Sequence, residues 1–373
     1  MRKSFKYRLY PNKQQKNKID QTLETCRILY NDFLFEKKEF YEKEQKRLTF
    51  FDQINSLPIK KENNYFLKEV YSQILQDVAQ RVDKSFQNFF QRIKKQIDKV
   101  GYPRFKQYGR YYSFTYTQSG FKSINDKKIY LSKLGNINIK KHRELLGKIK
   151  TCSVIVKNGK YYACFSCEAE SKLLTKTGKK IGIDMGLTSF LTTSNGDFKK
   201  SPKIYQKVEQ KLAKSQRKVS RRIKGSKRRK KAIIILSKQH EKIVNQRKDF
   251  AHKLSRELVN NYDLIAHEKL QIKNMVKNRY LVKSINDASW NLFLTILSYK
   301  AEEAGKEIVK VDARDTSQIC NQCGKKRKIK LELNQKIFFC SYCNYKDNRD
   351  TNAALNILKR AERLGTDLQG AGK

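Results

Sequence analysis

Four cysteines and three carboxylates in the C-terminal half of the chain have the types and spacing to do chemistry. Cys320-Asn-Gln-Cys323 and Cys340-Ser-Tyr-Cys343 repeat one two-residue gap on either side of a polar, lysine-containing connector. Each pair fits a tight turn, with Gly324 and Asn344 as the permissive residues that follow it. Two such pairs supply the tetrahedral thiolate set of a structural zinc ion, Zn2+. Asp184 interrupts the apolar strand pattern from Ile181 to Gly186, Glu268 closes the run Leu264-Ile-Ala-His267, and Asp350 begins the last helical segment. A charge in an apolar strand is costly unless something compensates it. Magnesium, Mg2+, prefers oxygen ligands, and cations held between carboxylates stabilise the attacking and leaving oxygens of phosphodiester hydrolysis. Taken singly, Asp184 could be a turn former, Glu268 an ion-pair partner and Asp350 a helix cap. Asp347 stands one turn from Asp350, and either could cap the helix while the other binds metal.

The remaining cysteines, Cys26, Cys152, Cys164 and Cys167, read as small buried hydrophobes. Cys164 and Cys167 lie three apart on a strand and so point to opposite faces. With 4 histidines in 373 residues, a Ser-His-Asp hydrolase or a histidine-metal nuclease is disfavoured, and His267 reads as structural.

The elements that must position these groups are legible in outline. Residues 4–10 alternate as a half-buried strand, Pro11-Asn12 breaks it, and a helix opens near Lys13. Ile74, Val78, Val82, Phe86, Phe89, Phe90 and Ile93 recur at helical offsets, so a helical region is expected over 11–117. Beyond it, strands are expected to 179, with Asn158-Gly159 as a hairpin turn and the N-terminal strand completing a small β-barrel or sheet. From 180, the order β-β-β, a basic helical insertion over 203–260, two more strands with a helix closed by Gly305 between them, and a last helix is that of an RNase-H-like fold. In that fold, carboxylates on the first strand, the fourth strand and a late helix converge. A disordered tail is expected over 365–373.

The formal net charge is +47, from 83 Lys and Arg against 36 Asp and Glu. Such an excess calls for an anionic partner, and nucleic acid is the one that phosphate neutralisation favours. No long apolar run suits a membrane span. The N-terminus reads directly into a strand pattern rather than a signal peptide, and a cytoplasmic, nucleoid-associated protein is expected. The insertion carries Arg221, Arg222, Arg228 and Arg229 among its densest cations, and these are expected to meet phosphate.

Several stretches together resemble the TnpB family of transposon-encoded RNA-guided nucleases, related to type V CRISPR effectors. They are Tyr7 to Asn12, Gly101-Tyr-Pro-Arg-Phe105, Ile183-Asp-Met-Gly186, Ser289-Trp290, Val311-Asp312, Thr316 to Cys320 and Arg349 to Ile357. The resemblance implies multidomain α+β and α/β architecture: a helical recognition lobe (11–117), a β-barrel wedge domain (1–10 and 118–179), and a RuvC nuclease domain (180–315 and 347–364) with an inserted zinc ribbon (316–346). It implies a guide RNA and target double-stranded DNA as partners, with the protein reading a short flanking DNA motif and base pairing reading the rest. Asp184, Glu268 and Asp350 match its three catalytic positions, and the spacing from Asp350 to Asn352 and Ala353 selects Asp350 over Asp347. Lys68, Gln73 and Gln76 on the helical lobe, and Arg104, are expected to face nucleic acid. His267 and Lys269 depart from the family's usual acidic or small residues beside Glu268. The alternatives are a cleavage-weak RNA-guided repressor and a transposase accessory protein. A self-sufficient transposase is disfavoured, because no helix-turn-helix for binding element ends is evident.

Overall fold

The computed structural model describes residues 1–370 except Asp98, Lys330 and 332–334; the side chains of Lys273 and of 365–370 are likewise not described. The chain divides into two compact units, Met1–Glu170 and Ser171–Lys373.

In the first unit, β1 (Arg2–Tyr10) leads into α1 (Lys13–Glu44), α2 (Phe50–Asn55), α3 (Leu57–Glu62), α4 (Tyr65–Lys68) and α5 (Ser72–Lys94). Strands β2 (Ser113–Tyr116), β3 (Phe121–Ser123), β4 (Lys128–Leu131), β5 (Gly135–Lys140), β6 (Lys148–Lys157) and β7 (Lys160–Glu168) follow. Asn12 starts α1 with a capping box: its side chain accepts from Gln15 N at 2.8 Å, and its own N–H reaches the Gln15 side chain. The seven strands form one antiparallel sheet in the order β2-β6-β7-β1-β5-β4-β3, so the N-terminal strand lies inside the sheet. Asn158 (φ 51°) and Gly159 (φ 69°) make the two-residue turn between β6 and β7, both left-handed as a type I′ turn requires. Phe5, Tyr7 and Leu9 pack with Leu29, Phe33, Ile74 and Val78 in one core.

Ser113–Tyr116, in the aromatic and β-branched run that follows the helices, pairs with β6. Two expectations shift here. Phe90 and Ile93, on the last turns of α5, are about half exposed and leave the apolar stripe short of the core. Cys164 faces outward beside the Ser4 hydroxyl, while Cys167 is buried, because strand alternation puts them on opposite faces.

The second unit begins before the expected strand. Thr177 and Gly178 donate their backbone N–H groups to the Asp263 carboxylate at 2.7–3.0 Å, and Lys306 pairs with the same group. Its elements are β8 (Lys180–Asp184), β9 (Ser189–Thr193), β10 (Phe198–Lys200), α6 (Glu209–Ser220), α7 (Lys227–Asn261), β11 (Leu264–Glu268), α8 (Ile272–Met275), α9 (Val282–Ala288), α10 (Trp290–Ala304), β12 (Glu307–Val311), β13 (Ile337–Phe339), β14 (Lys346–Asn348) and α11 (Arg349–Gly370). Strands β10, β9 and β8 are antiparallel neighbours, while β8, β11 and β12 run parallel, giving the order β10-β9-β8-β11-β12. The parallel pairs require crossovers, which α6–α7 and α8–α10 supply. One face of this sheet buries Ile181, Ile183 and Ile265 against Leu254, Leu258, Phe293 and Leu297 of α7 and α10. The other face buries Ala266 and Val311 against Ile357 and Ala361 of α11. Helix α11 continues to Gly370 where a tail was expected from 365; residues 371–373 of that tail lie outside the described residues.

Candidate metal centres

Parallel register sets the first two carboxylates side by side. Ile183 is paired with His267, so Asp184 and Glu268 stand at the next position of adjacent strands and emerge on the same face. The third comes from α11, which crosses that face. A Cβ on Gly182 would lie 2.1 Å from the Ala354 carbonyl oxygen, so glycine is what lets the helix backbone touch β8. Asp184 lies two residues up the strand from this contact, and Asp350 lies one turn down the helix from it. These distances along strand and helix are nearly equal, at about 6 Å each. Burial first, and then the Glu268 and Asp350 carboxylates, push the Asp184 carboxyl up to about 7, against the pull of Arg349. Glu268 is raised as well, chiefly by burial, with the Thr316 hydroxyl and Arg360 opposing.

Asp347 is occupied elsewhere. It lies in β14, accepts from the Tyr345 hydroxyl at 2.6 Å and from Asn348 N at 2.6 Å. Asp350 instead accepts from Arg349 Nη2 at 2.9 Å. His267 is buried on the opposite face, and its Nδ1–H donates to the Glu268 carbonyl at 2.8 Å; burial holds its imidazole below the ordinary range. It is a neutral core residue. The signal that sequence reading missed is Thr316, whose hydroxyl donates to Glu268 Oε1.

The four cysteines close on one another. Cys320 and Cys343 sulfurs are 3.6 Å apart, as are those of Cys323 and Cys340, and all four lie within 4.8 Å. Thiolates around one zinc ion sit about 3.8 Å apart, given a Zn–S bond of about 2.3 Å. The two knuckles are built alike. Gly324 N donates to Cys320 O and Asn344 N to Cys340 O, each at 2.9 Å, with Gly324 at φ 72° and Asn344 at φ 59°. The set fits zinc. Among the described residues no other group of three or more His, Cys, Asp or Glu ligand atoms closes to 4.8 Å.

Comparison with known proteins supplies the lineage. A family model described as a probable transposase, OrfB of IS605, matches residues 164–279, and one described as a Cas12f1-like TNB domain matches 290–357. The chain is 33% identical over 365 residues to a putative RNA-guided DNA endonuclease of Streptomyces pristinaespiralis, covering 96% of this chain and 89% of that protein. The chain belongs to the TnpB family. The putative RNA-guided DNA endonuclease InsQ of Escherichia coli (strain K12) is 29% identical, with 95% of this chain and 91% of InsQ covered. Among solved structures, a Cas12f1–sgRNA–target DNA complex matches with a TM-score of 0.60 at 13% identity, covering 96% of this chain and 98% of that one. That likeness is one of fold, a mixed α/β effector fold. A model described as a helix-turn-helix domain also matches residues 1–46, a description the sequence reading did not anticipate. In this TnpB-family chain those residues form a strand and a single 32-residue helix.

The residues expected to meet nucleic acid divide. Lys68, Gln76, Arg104, Arg221 and Arg228 are exposed, and Arg222 and Arg229 partly so. Gln73 is partly exposed, and its amide is engaged within the protein: its side-chain oxygen accepts from Gln118 N at 3.0 Å and Ser119 N at 2.9 Å, and its nitrogen donates to the Ser119 hydroxyl. In the TnpB-family insertion, Arg221 and Arg222 belong to a stripe that Lys214 extends: Lys214, Arg217, Lys218, Arg221 and Arg222 line one hollow of about 550 Å³, at i, i+3, i+4, i+7, i+8 spacing.

Proposed function

We propose that this chain is an RNA-guided DNA endonuclease that hydrolyses phosphodiester bonds at Asp184, Glu268 and Asp350. The observation that carries this reading is the meeting of three carboxylates from β8, β11 and α11 with enough mutual repulsion and burial to hold Asp184 near pH 7. A cluster of that kind is costly unless cations share it. Its hard oxygen donors suit magnesium, which when bound would polarise the phosphoryl oxygen and acidify the attacking water. The chain's own part is to deliver the ligands from rigid elements. The end of β8 fixes Asp184, Thr316 holds one oxygen of Glu268, and Arg349 braces Asp350. On this reading 180–315 and 347–364 form an RuvC-type, RNase-H-like domain, and 316–346 its zinc ribbon. Unit one would supply the wedge and recognition parts, with Lys68, Gln76 and Arg104 toward nucleic acid.

The relatives named as RNA-guided DNA endonucleases support the substrate class, as does the Cas12f1 complex with sgRNA and target DNA. No described helix is long and apolar enough to cross a membrane. The complete carboxylate trio argues against a role confined to binding. The test is to purify the protein with its bound RNA, sequence that RNA, and supply a matching DNA with magnesium. Wild type should cut, and Asp184→Ala should bind the same RNA without cutting. Cleavage by Asp184→Ala would remove the assignment of the site.

A further inference from the structure

Glu268 is a long side chain at the free end of a strand, and three rotatable bonds separate its carboxylate from the backbone. Left alone, it would lose most of a kcal/mol or more in rotamer freedom each time it took one position. The structure does not leave it alone. Thr316 donates its hydroxyl to Oε1, and among the described residues Oε2 receives no hydrogen bond.

The donor is itself held from two directions. Thr316 is buried, and its carbonyl accepts from Asn356 Nδ2 at 2.8 Å. The same nitrogen donates to the Ile319 carbonyl at 2.7 Å, where Asn352 Nδ2 also donates at 2.8 Å. Asn352 in turn accepts from Asn321 N at 2.9 Å. Both asparagines are buried on α11, so the segment between β12 and the first cysteine knuckle is fastened to the helix that carries Asp350. On the other side, Asp315 adopts φ 61°, a left-handed conformation that Asp tolerates better than most residues. Its carboxylate is tied to Lys326 Nζ at 2.7 Å.

We propose that Thr316 is a positioning residue for Glu268, its hydroxyl presenting one carboxylate oxygen at a fixed place while Asn356 holds the Thr316 backbone through its carbonyl. The proposal rests on the reading of Glu268 as a metal-binding carboxylate. Outer partners of metal ligands typically contribute about 10- to 100-fold in metal affinity or activity. Thr316→Val keeps the volume and removes the donor, whereas Thr316→Ser keeps the donor. If the hydroxyl positions Glu268, Val should raise the half-saturating magnesium concentration for cleavage by about 10-fold or more, and Ser should restore it to near the wild-type value. A residue that merely fills space would show the reverse ranking, since Val replaces the lost methyl and Ser does not.

The experiment uses the full chain with its co-purified RNA. Cleavage is titrated with magnesium, and Mn2+ binding is followed by electron paramagnetic resonance as a readout independent of turnover. Zinc content and melting temperature should match wild type in both variants. Thr316→Ala gives the same comparison should Val disturb the knuckle. Weakened Mn2+ binding and a shifted magnesium requirement in Val, with rescue in Ser, is the expected result. Val indistinguishable from wild type at limiting magnesium, or Ser as impaired as Val, overturns the proposal. Glu268→Gln separates the two readings. If it still cuts, the site assignment itself falls; if it is inactive while Val behaves as wild type, the positioning role alone falls.

Discussion

Asp184 carries a proton at higher pH in the folded protein than it would in an unfolded chain, and this has a direction. A carboxylate raised from its ordinary value to about 7 leaves the metal-free fold unpenalised below about pH 4. The penalty grows as the pH rises from there to about 7 and is complete above that. The full shift corresponds, to order of magnitude, to about 4 kcal/mol. Asp184→Asn removes the charge while keeping the shape. In the presence of a chelator selective for magnesium, the variant should melt above wild type at pH 8, and the gap should close toward pH 4. Equal melting temperatures at pH 8 would mean that the three carboxylates do not crowd one another. Asp184 and Glu268 could be singled out in sequence because each breaks or closes an apolar run, where a charge is conspicuous. The contacts of Thr316 and Gln73 could not, because their partners, Glu268 and the loop at 118–119, are 48 and 45–46 residues away along the chain. Nothing local marks a hydroxyl or an amide as already spent.

At the scale of elements, the site depends on how closely α11 can approach β8. Alanine at 182 would put a methyl 2.1 Å from the Ala354 oxygen, so the helix must move outward by about 1 Å or more. Overpacking of this kind usually costs about 1–3 kcal/mol, and a misplacement of that size can cost about 100-fold in rate. Gly182→Ala should therefore lower the melting temperature and slow cleavage together. An unchanged melting temperature would refute the contact. The zinc knuckles bear on the same helix, because Asn352 and Asn356 grip the carbonyl beside Cys320. Replacing Cys320 and Cys340 with serine should abolish zinc binding, read by metal analysis, and take cleavage with it; full zinc content would refute the four-thiolate site. The order of strands and the cysteine spacing could be read from sequence, since both repeat over short windows. The helix contact could not. Gly182 reads locally as a residue that weakens a strand, and its use appears once α11 lies across it.

At the scale of the whole molecule, the charge of +47 says that an anion must be bound but leaves open where. The stripe along α6 and its C-terminal turn narrows this. Lys214, Arg217, Lys218, Arg221 and Arg222 share one hollow, and among the described residues none of them forms a salt bridge, so their charges are uncompensated within the protein. Neutralised phosphates release counterions, and each contact contributes about 0.7–0.9 to the slope of log affinity against log salt. If Arg217, Arg221 and Arg222 each meet a phosphate, changing all three to alanine should flatten that slope by about 2. RNA binding should weaken most at low salt and converge on wild type as salt rises. Alanine is the strongest helix former and these side chains make no ion pair to lose, so melting temperature and zinc content should hold. A loss of affinity equal at every salt concentration would point to a disturbed fold. No change in slope would move the nucleic-acid path off α6 and back to the other basic surfaces, beginning with Arg228 and Arg229 at the start of α7.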